Sequence, residues 1–172
     1  MPLRALAPTP DVSTEAPWCP RTEAAGHLGS FRRDTAWAMS QENVEIVKAL
    51  NEAFNRRDWN RLTELIDPDV ELHGTIGGLE EDLVVRGLDG IRLRFEIEDN
   101  EIWDEHRFEP QEFIDAGDQV VVLQREYQRG KSSGVELSID TASVLHLRDG
   151  RIVRMQGYMD RAAALEAAGL RE

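Results

Sequence analysis

Polar side chains fall at two-residue intervals along three strand-like runs in the C-terminal half, and together they could bind a small molecule. If Leu123 faces the core, the period of a strand directs Arg125 and Tyr127 to the same side. The next two runs place on one face Thr141, Ser143, Leu145, Leu147, Val153, Met155 and Gly157. A few polar groups that converge in an apolar cleft are the usual form of a ligand site. The alternation therefore predicts a pocket whose polar residues are Arg125, Tyr127, Thr141 and Ser143.

Arg125 gives this predicted pocket its most specific chemistry. An inward arginine needs an anion, and a bound carboxylate or phenolate would serve. The alternative is that Arg125 pairs with a glutamate of the domain or extends to the cavity mouth, because an unpaired buried charge is costly. For Tyr127 and Ser143, the alternative is that they only form part of the pocket wall and take no part in binding or catalysis.

Three helices before these strands are predicted to cover one face of the sheet. The first runs from Gln41 to Arg57, with Ser40 as its N-cap. Asp58 caps a short second helix, which Asp67-Pro68-Asp69 ends because proline cannot continue the hydrogen-bond ladder. A third helix begins near Leu88. Their apolar stripes, together with the strands, supply the predicted cavity walls Phe54, Phe95 and Met155.

The strands follow a simple order along the chain. Short strands are predicted at Val70–His73 and Leu83–Val85, and a longer one at Phe108–Ala116. A long antiparallel run extends from Asp118 to Asp160, with a tight Asp149-Gly150 turn before its last strand. Asp160 then caps a last helix that ends at Gly169. Helices come first and the antiparallel run later, so the pattern predicts an α+β fold.

Glu98 falls inside the apolar stripe of the third helix and has two interpretations. It could be an acid in the pocket. The preferred interpretation is a solvated glutamate on a slightly rotated helix, since the surrounding run EIEDNEIWDE resembles a wet acidic face.

Composition limits the possible partners and location. The net charge of -13 argues against nucleic acid and anionic membranes, which require basic patches. No apolar run approaches the roughly 20 residues that cross a bilayer. The single cysteine, Cys19, cannot form an internal disulfide and is typical of a reducing cytoplasm. The sequence therefore predicts a cytoplasmic protein without nucleic-acid or membrane partners.

The first part of the chain differs from the rest. Residues 1–38 carry five of the seven prolines and lack a helical or strand period. We predict a disordered extension at 1–38, which is a mis-chosen translation start if the native protein begins at Met39, and one domain at 39–172. Metal and cofactor sites are not expected, because His27, His106 and His146 share no ligand spacing and no phosphate-binding loop occurs.

Several separated motifs occur in an order that resembles the SnoaL-like branch of the nuclear transport factor 2-like superfamily. They are MSQENVEIVKALNEAFNRRDWNRLTELIDPDVELHG, RGLDGI, QEFIDAGDQVVVL and LRDGRIVRMQGYMDRAAALEAAGL, within residues 39–170. The resemblance implies a cone-shaped, curved antiparallel sheet wrapped around three N-terminal-side helices, with a short C-terminal helix. It also implies a pocket between helices and sheet, and a homodimer. The superfamily includes ketosteroid isomerases, polyketide cyclases, dehydratases, epoxide hydrolases and non-catalytic members, so function depends on the site.

The resemblance to ketosteroid isomerases indicates His73 as the general base, because their base lies at the end of the first strand. A histidine titrates near neutrality and can take and return a proton. The isomerase reaction also needs a tyrosine and a protonated aspartate as donors, and the matching positions are Leu50 and Ser143. Leucine donates no hydrogen bond, so that mechanism is disfavoured, and many SnoaL-like relatives carry a histidine at the position of Ser143. The alternative for His73 is a hydrogen-bonded wall residue.

These features leave three hypotheses of function. The first is a cofactor-independent cyclase, isomerase or dehydratase that acts on a small carbonyl-bearing or anionic molecule, with His73 as acid–base group and Arg125 stabilising negative charge. The second is a non-catalytic ligand-binding or dimerisation module. The third is a peptide- or protein-binding role. A homodimer is expected to use the outer face of the sheet, with Val120, Val122, Val144 and Ile152.

Overall fold

A computed structural model describes residues 28–170 of the chain, with side chains from Ser40 onward. In the described part, helices precede a sheet of six strands, and one short helix follows it. The elements are α1 Leu28–Asn55, α2 Trp59–Leu65, β1 Ile66–Ile76, β2 Val84–Arg86, α3 Gly87–Ile97, a π-helical turn Glu98–Ile102, β3 Trp103–Asp115, β4 Gln119–Gly130, β5 Glu136–Arg148, β6 Arg151–Tyr158 and α4 Arg161–Ala167. This order confirms the predicted α+β class.

The sheet has the strand order β2-β1-β6-β5-β4-β3, and it curves without closing. Four of the neighbouring pairs are antiparallel, but β1 pairs with β6 in parallel, with Leu72 opposite Met155. The sheet is therefore mixed, which differs from the predicted antiparallel arrangement. The difference arises because the first long strand pairs with the last one, and local strand patterns carry no information on such a distant pairing.

The first helix begins at Leu28, well before the predicted start at Gln41. Ser40 does not cap a helix end, because α1 continues through it, and its hydroxyl hydrogen-bonds the Asp115 carboxylate at the end of β3. Residues 28–38, which we predicted to be disordered, are thus part of α1. The remainder of that predicted extension, including Cys19 and His27, lies outside the described residues.

The predicted caps of the two short helices are present. The Asp58 carboxylate accepts a hydrogen bond from the Arg61 amide at 3.1 Å, and the Asp160 carboxylate accepts one from the Ala163 amide at 2.8 Å. Each bond satisfies an amide that has no partner within its helix. Gly169 has φ +73, as a left-handed helix end requires.

Apolar side chains form two cores, one on each face of the sheet. The larger core packs under α1, α2 and α3 and includes Val120, Val122 and Ile152. The smaller core packs under α4 and includes Val121, Leu123, Ala142, Val144, Tyr158, Ala164 and Leu165. The prediction that a dimer uses Val120, Val122, Val144 and Ile152 on the outer face is therefore wrong, because the helices cover all four side chains. No helix in the described part of the chain is long and apolar enough to cross a membrane.

Candidate functional site

A cavity of about 730 Å³ lies between the helices and the inner face of the sheet. This volume is within the range of small-molecule sites, roughly 300 to 1,000 Å³. The structure brings most of the predicted site residues to its wall, namely Phe54, His73, Phe95, Thr141, Ser143 and Met155. Its apolar part is aromatic, since the Phe54 and Phe95 rings meet edge to face with centroids 5.1 Å apart.

Arg125 does not reach this cavity, and the prediction that it faces inward is wrong. Its side chain is 43% exposed and donates two hydrogen bonds to Asp140, at 2.7 Å and 3.1 Å. The alternative of pairing within the domain is what the structure shows, although the partner is an aspartate. The Arg125 guanidinium lowers the pKa of Asp140, so this pair is ionised at neutral pH.

Tyr127 also lies away from the cavity, on the face of Arg125. The Arg107 guanidinium lies 3.8 Å from the centre of its ring, a cation–π contact across β3 and β4. Both corrections follow from the core into which Leu123 packs. It is buried, as expected, but in the core under α4, so the odd-numbered residues of β4 face away from the cavity.

The even-numbered residues of β4 instead supply a polar stripe inside the cavity. We call Gln124, Glu126 and Gln128 the β4 stripe. Gln124 Nε2 donates to the Ser143 hydroxyl at 3.1 Å, and Gln128 Nε2 donates to Glu126 Oε1 at 2.6 Å. Thr141 lies opposite Gln124 in β5, is 9% exposed, and its hydroxyl has no partner among the described residues.

A histidine between two carboxylates forms the strongest electrostatic feature of the cavity. His106 Nε2 lies 2.8 Å from Glu126 Oε1, and His106 Nδ1 lies 3.6 Å from Glu98 Oε2. The second distance exceeds a hydrogen bond, so Glu98 acts on His106 mainly through its charge. His106 is only 9% exposed, and Glu98 is 7% exposed. Three elements meet here, because Glu98 is in the π-helical turn, His106 in β3 and Glu126 in β4.

These contacts change the protonation of the histidine. Burial lowers the pKa of His106, but its interactions with Glu126 and Glu98 outweigh burial and raise that pKa to about 8. Burial likewise raises the pKa of Glu98, yet His106 and Arg94 outweigh it and hold that pKa below its ordinary value. At neutral pH the cavity therefore contains an imidazolium beside carboxylates.

Arg94 joins this group to the loop between β1 and β2. Its Nε donates to Glu98 Oε1 at 2.6 Å, and its terminal nitrogens donate to both oxygens of Glu80, with Nη1 at 3.0 Å. Gly74 permits this loop position, because a Cβ there would collide with the Glu80 carbonyl oxygen. The loop that carries Glu80 is thus held against the cavity wall.

His73 lines another part of the cavity wall and has its own carboxylate partner. Its Nε2 lies 3.0 Å from Glu71 Oε2, and Arg86 donates to the other Glu71 oxygen at 2.9 Å. Hydrogen bonds from His73 and Arg86 lower the pKa of Glu71. A carboxylate that hydrogen-bonds and orients a histidine is an arrangement used for proton transfer.

The preferred interpretation of Glu98 as a solvated residue is wrong, and sequence reasoning did not single out His106 or Glu126. His106 is two residues from Phe108, so a longer β3 would have placed both on one face. Glu126 lies on the same face of β4 as Val122, and we predicted that this face is the outer one. In the described part of the chain, groups of three or more side chains able to hold a metal ion are absent.

The fold and the cavity define a protein of the nuclear transport factor 2-like, cone-shaped α+β class. A sequence model of the SnoaL-like domain matches residues 47–155, which is more than half of the chain. The protein therefore belongs to the SnoaL-like domain family, as the order of its motifs predicted. No curated protein sequence matches this chain at a significant level.

Solved structures show the same fold. TerC, co-crystallised with polyporic acid, is 27% identical with a TM-score of 0.61, covering 74% of this chain and 98% of TerC. A nuclear transport factor 2-like protein from Burkholderia xenovorans LB400 is 26% identical with a TM-score of 0.60, covering 74% and 95%. A structure from Jannaschia sp. CCS1, described as a SnoaL-like polyketide cyclase, is 19% identical with a TM-score of 0.59, covering 77% and 94%, and shows the fold alone.

Proposed function

We propose that the cavity binds a small, largely apolar, carbonyl-bearing molecule and catalyses an acid–base reaction on it without a cofactor, of the isomerase, cyclase or dehydratase type. The observation that carries this proposal is the buried His106, held between Glu98 and Glu126 on the wall of a mainly apolar cavity. Perturbed titratable groups of this kind concentrate at functional sites.

Two histidines on one cavity wall can take different roles. His73, oriented by Glu71, is the base that removes a proton from the carbon beside the carbonyl group. The His106 imidazolium is hydrogen-bonded through Nε2, but its Nδ1 has no hydrogen-bond partner among the described residues, so Nδ1 can donate to the carbonyl oxygen as negative charge develops on it.

The similarity to TerC supports a small-molecule role, since that protein was co-crystallised with polyporic acid. The cavity has the size and the apolar aromatic wall that such ligands need. The reason for expecting an anionic substrate no longer applies, because Arg125 lies on the opposite face of the sheet.

A non-catalytic ligand-binding module is the second candidate, and one observation favours it. Both ring nitrogens of His106 face carboxylates, and Arg94 is bonded to Glu80 and Glu98. A network of paired charges of this kind can serve stability and shape alone.

Proton exchange at carbon separates the two candidates. The purified protein is incubated in D₂O with a panel of aromatic ketones, esters and hydroxyketones, and deuterium incorporation beside the carbonyl group is followed by NMR. We expect catalysed exchange that falls by about 10²- to 10⁴-fold in His73→Asn. His146→Asn is the matched control, because His146 lies outside the cavity lining. Exchange that survives His73→Asn contradicts the assigned base, and retention of a ligand without any exchange favours the binding module.

The homodimer and the cytoplasmic location stay predictions. With the valines in the cores, the part of the outer face beyond α4 carries charged pairs such as Arg125–Asp140 and the aromatic Tyr127. We propose that a dimer uses this charged and aromatic surface. Sedimentation velocity tests it, and a monomer at micromolar concentration contradicts it.

A further inference from the structure

The ionisable side chains of the cavity wall carry an excess of carboxylates. Three acids, two histidines and one arginine line the cavity, namely Glu80, Glu98, Glu126, His73, His106 and Arg94. The three carboxyl groups on the wall outnumber its two cations, Arg94 and His106. Each cation already faces two carboxylates, because Arg94 bonds Glu80 and Glu98 while His106 bonds Glu126 and lies 3.6 Å from Glu98. An incoming carboxylate would therefore approach cations whose charge is already offset by acids of the wall.

Glu126 is the group with unused hydrogen-bonding capacity. Its Oε1 accepts from both His106 and Gln128, whereas its Oε2 has no hydrogen-bond partner among the described residues. A carboxylate oxygen can accept two or more hydrogen bonds and donates none when ionised. Glu126 is 15% exposed and lines the cavity. The free oxygen therefore requires a donor from whatever fills the cavity.

Thr141 gives an independent sign of an occupant at the same place. Thr141 is more than nine-tenths buried, lines the cavity, and its hydroxyl has no partner in the described part of the chain. Gln124, opposite Thr141 in the sheet, is 5% exposed and donates its amide nitrogen to the Ser143 hydroxyl, so it leaves the Thr141 hydroxyl unpaired. Buried polar groups without partners indicate a missing ligand or water.

We infer that the cavity selects a neutral or cationic molecule with a hydroxyl or amino group that donates a hydrogen bond to the free oxygen of Glu126, and that it rejects carboxylates. The inference rests on the proposed small-molecule function and names its ligand class. The aromatic wall at Phe54 and Phe95 takes the apolar body of the ligand. A ligand carboxylate is rejected because it would approach Glu126 and Glu98 in a poorly solvated site, where like charges repel strongly.

Four matched probes test this ligand class by isothermal titration calorimetry on the full chain. They share the naphthalene ring and differ in one substituent: 2-naphthylmethanol, 2-naphthylmethylamine, 2-naphthoate and 2-methylnaphthalene. We expect the alcohol and the amine to bind at least about tenfold more tightly than 2-naphthoate. The affinity of 2-methylnaphthalene should lie between that of 2-naphthoate and those of the alcohol and the amine. Binding of 2-naphthoate as tight as that of the amine overturns the inference, and so does failure of all four probes to bind.

A pair of variants at neighbouring positions locates the effect. Glu126→Gln keeps the shape and an acceptor oxygen but removes the charge, so we expect the amine to bind about tenfold more weakly and the alcohol to change by less than about threefold. Arg125→Gln is the matched control, because the adjacent side chain lies on the other face of the sheet and should alter none of the four affinities. Equal changes in the two variants contradict the assignment to Glu126. The ranking of the probes by the unaltered protein does not depend on how either variant folds.

The inference and the proposed function can fail separately. If the probes rank as expected but no proton exchange occurs with any carbonyl compound, the ligand class holds and catalysis fails. If the protein catalyses exchange on a carboxylate-bearing ketone as fast as on its hydroxyl analogue, catalysis holds and the ligand class fails.

Discussion

Glu126 Oε1 lies 2.8 Å from His106 Nε2, and this bond joins two neighbouring strands inside the cavity. The charge of Glu98 acts on the other side of the same ring. The three residues are 98, 106 and 126 in a chain of 172 residues, and each comes from a different element. Protonation of one histidine is therefore coupled to the packing of the π-helical turn on the sheet.

The raised pKa of His106 predicts how stability depends on pH. The folded protein holds this proton more tightly than the unfolded chain, with a pKa of about 8 against an ordinary 6.5. The stabilisation is fully present below pH 6.5 and is lost as the pH rises through 8. We expect a loss of about 1 to 2 kcal/mol in the free energy of unfolding, measured by urea titration across this window.

His106→Asn is the control for this pH dependence and should flatten the curve above pH 6.5. His146 does not interfere, because burial and the charge of Arg154 lower the pKa of His146, so it titrates below the window. A free energy that rises with pH across the window contradicts the prediction.

Glu98→Gln should destabilise the protein by about 1 to 3 kcal/mol, because it removes the charge that faces both Arg94 and His106 in a buried position. Equilibrium urea unfolding measures the change. Glu96→Gln is the matched control: Glu96 is exposed on α3 and pairs with Arg92 at 3.0 Å, so its replacement should cost less than about 0.5 kcal/mol. Similar losses in the two variants would show that Glu98 is not buried as described.

Thr141→Val and Ser143→Ala should change stability in opposite directions. Thr141 buries a hydroxyl without a described partner, and its removal should stabilise the empty protein by about 1 kcal/mol. Ser143 accepts a hydrogen bond from Gln124, and its removal leaves that amide unpaired at a cost of about 1 kcal/mol. Thermal unfolding of both variants without ligand tests the pair. A destabilised Thr141→Val protein would mean that a bound water or ligand satisfies that hydroxyl.

Gly74→Ala should displace the loop that carries Glu80, since the new methyl group would overlap the Glu80 carbonyl oxygen. We expect a loss of at least about 1 to 3 kcal/mol in urea unfolding, as for other overpacked sites. Glu80→Gln separates sterics from charge: it weakens the ion pair with Arg94 but leaves the backbone in place, and a half-exposed pair contributes less than about 1 kcal/mol. If Gly74→Ala unfolds like the unaltered protein, the loop does not lie against Gly74.

The faces of β4 show why sequence alone could define the strands but not the site. Val120, Val121, Val122 and Leu123 are all at most 5% exposed, because α1 and α3 cover one face and α4 covers the other. Alternation correctly separates the residues of β4 into two sets. When both sets begin with buried apolar residues, it cannot say which one faces the cavity. A choice based on Leu123 therefore placed Arg125 inside.

Glu98 and His106 show a second limit. Their burial depends on each other and on Glu126, so neither has a local pattern that distinguishes it from a solvated polar residue. The helices, strands and caps could be predicted, because they depend on neighbours within a few positions. His73 could be assigned to the cavity only through resemblance to a family.

The parallel pairing of β1 with β6 has a consequence for how the chain reaches its native state. β1 ends at Ile76 and β6 begins at Arg151, so β1 with β2 and the meander β3 to β6 can pair locally, while the contact between β1 and β6 must wait for the last strand. Such contacts between distant parts of a chain raise contact order and slow folding. On the ribosome, the helices and β1 emerge long before their partner is synthesised. We therefore expect the newly made N-terminal half to be a client for chaperones, which shield apolar surface until synthesis is complete.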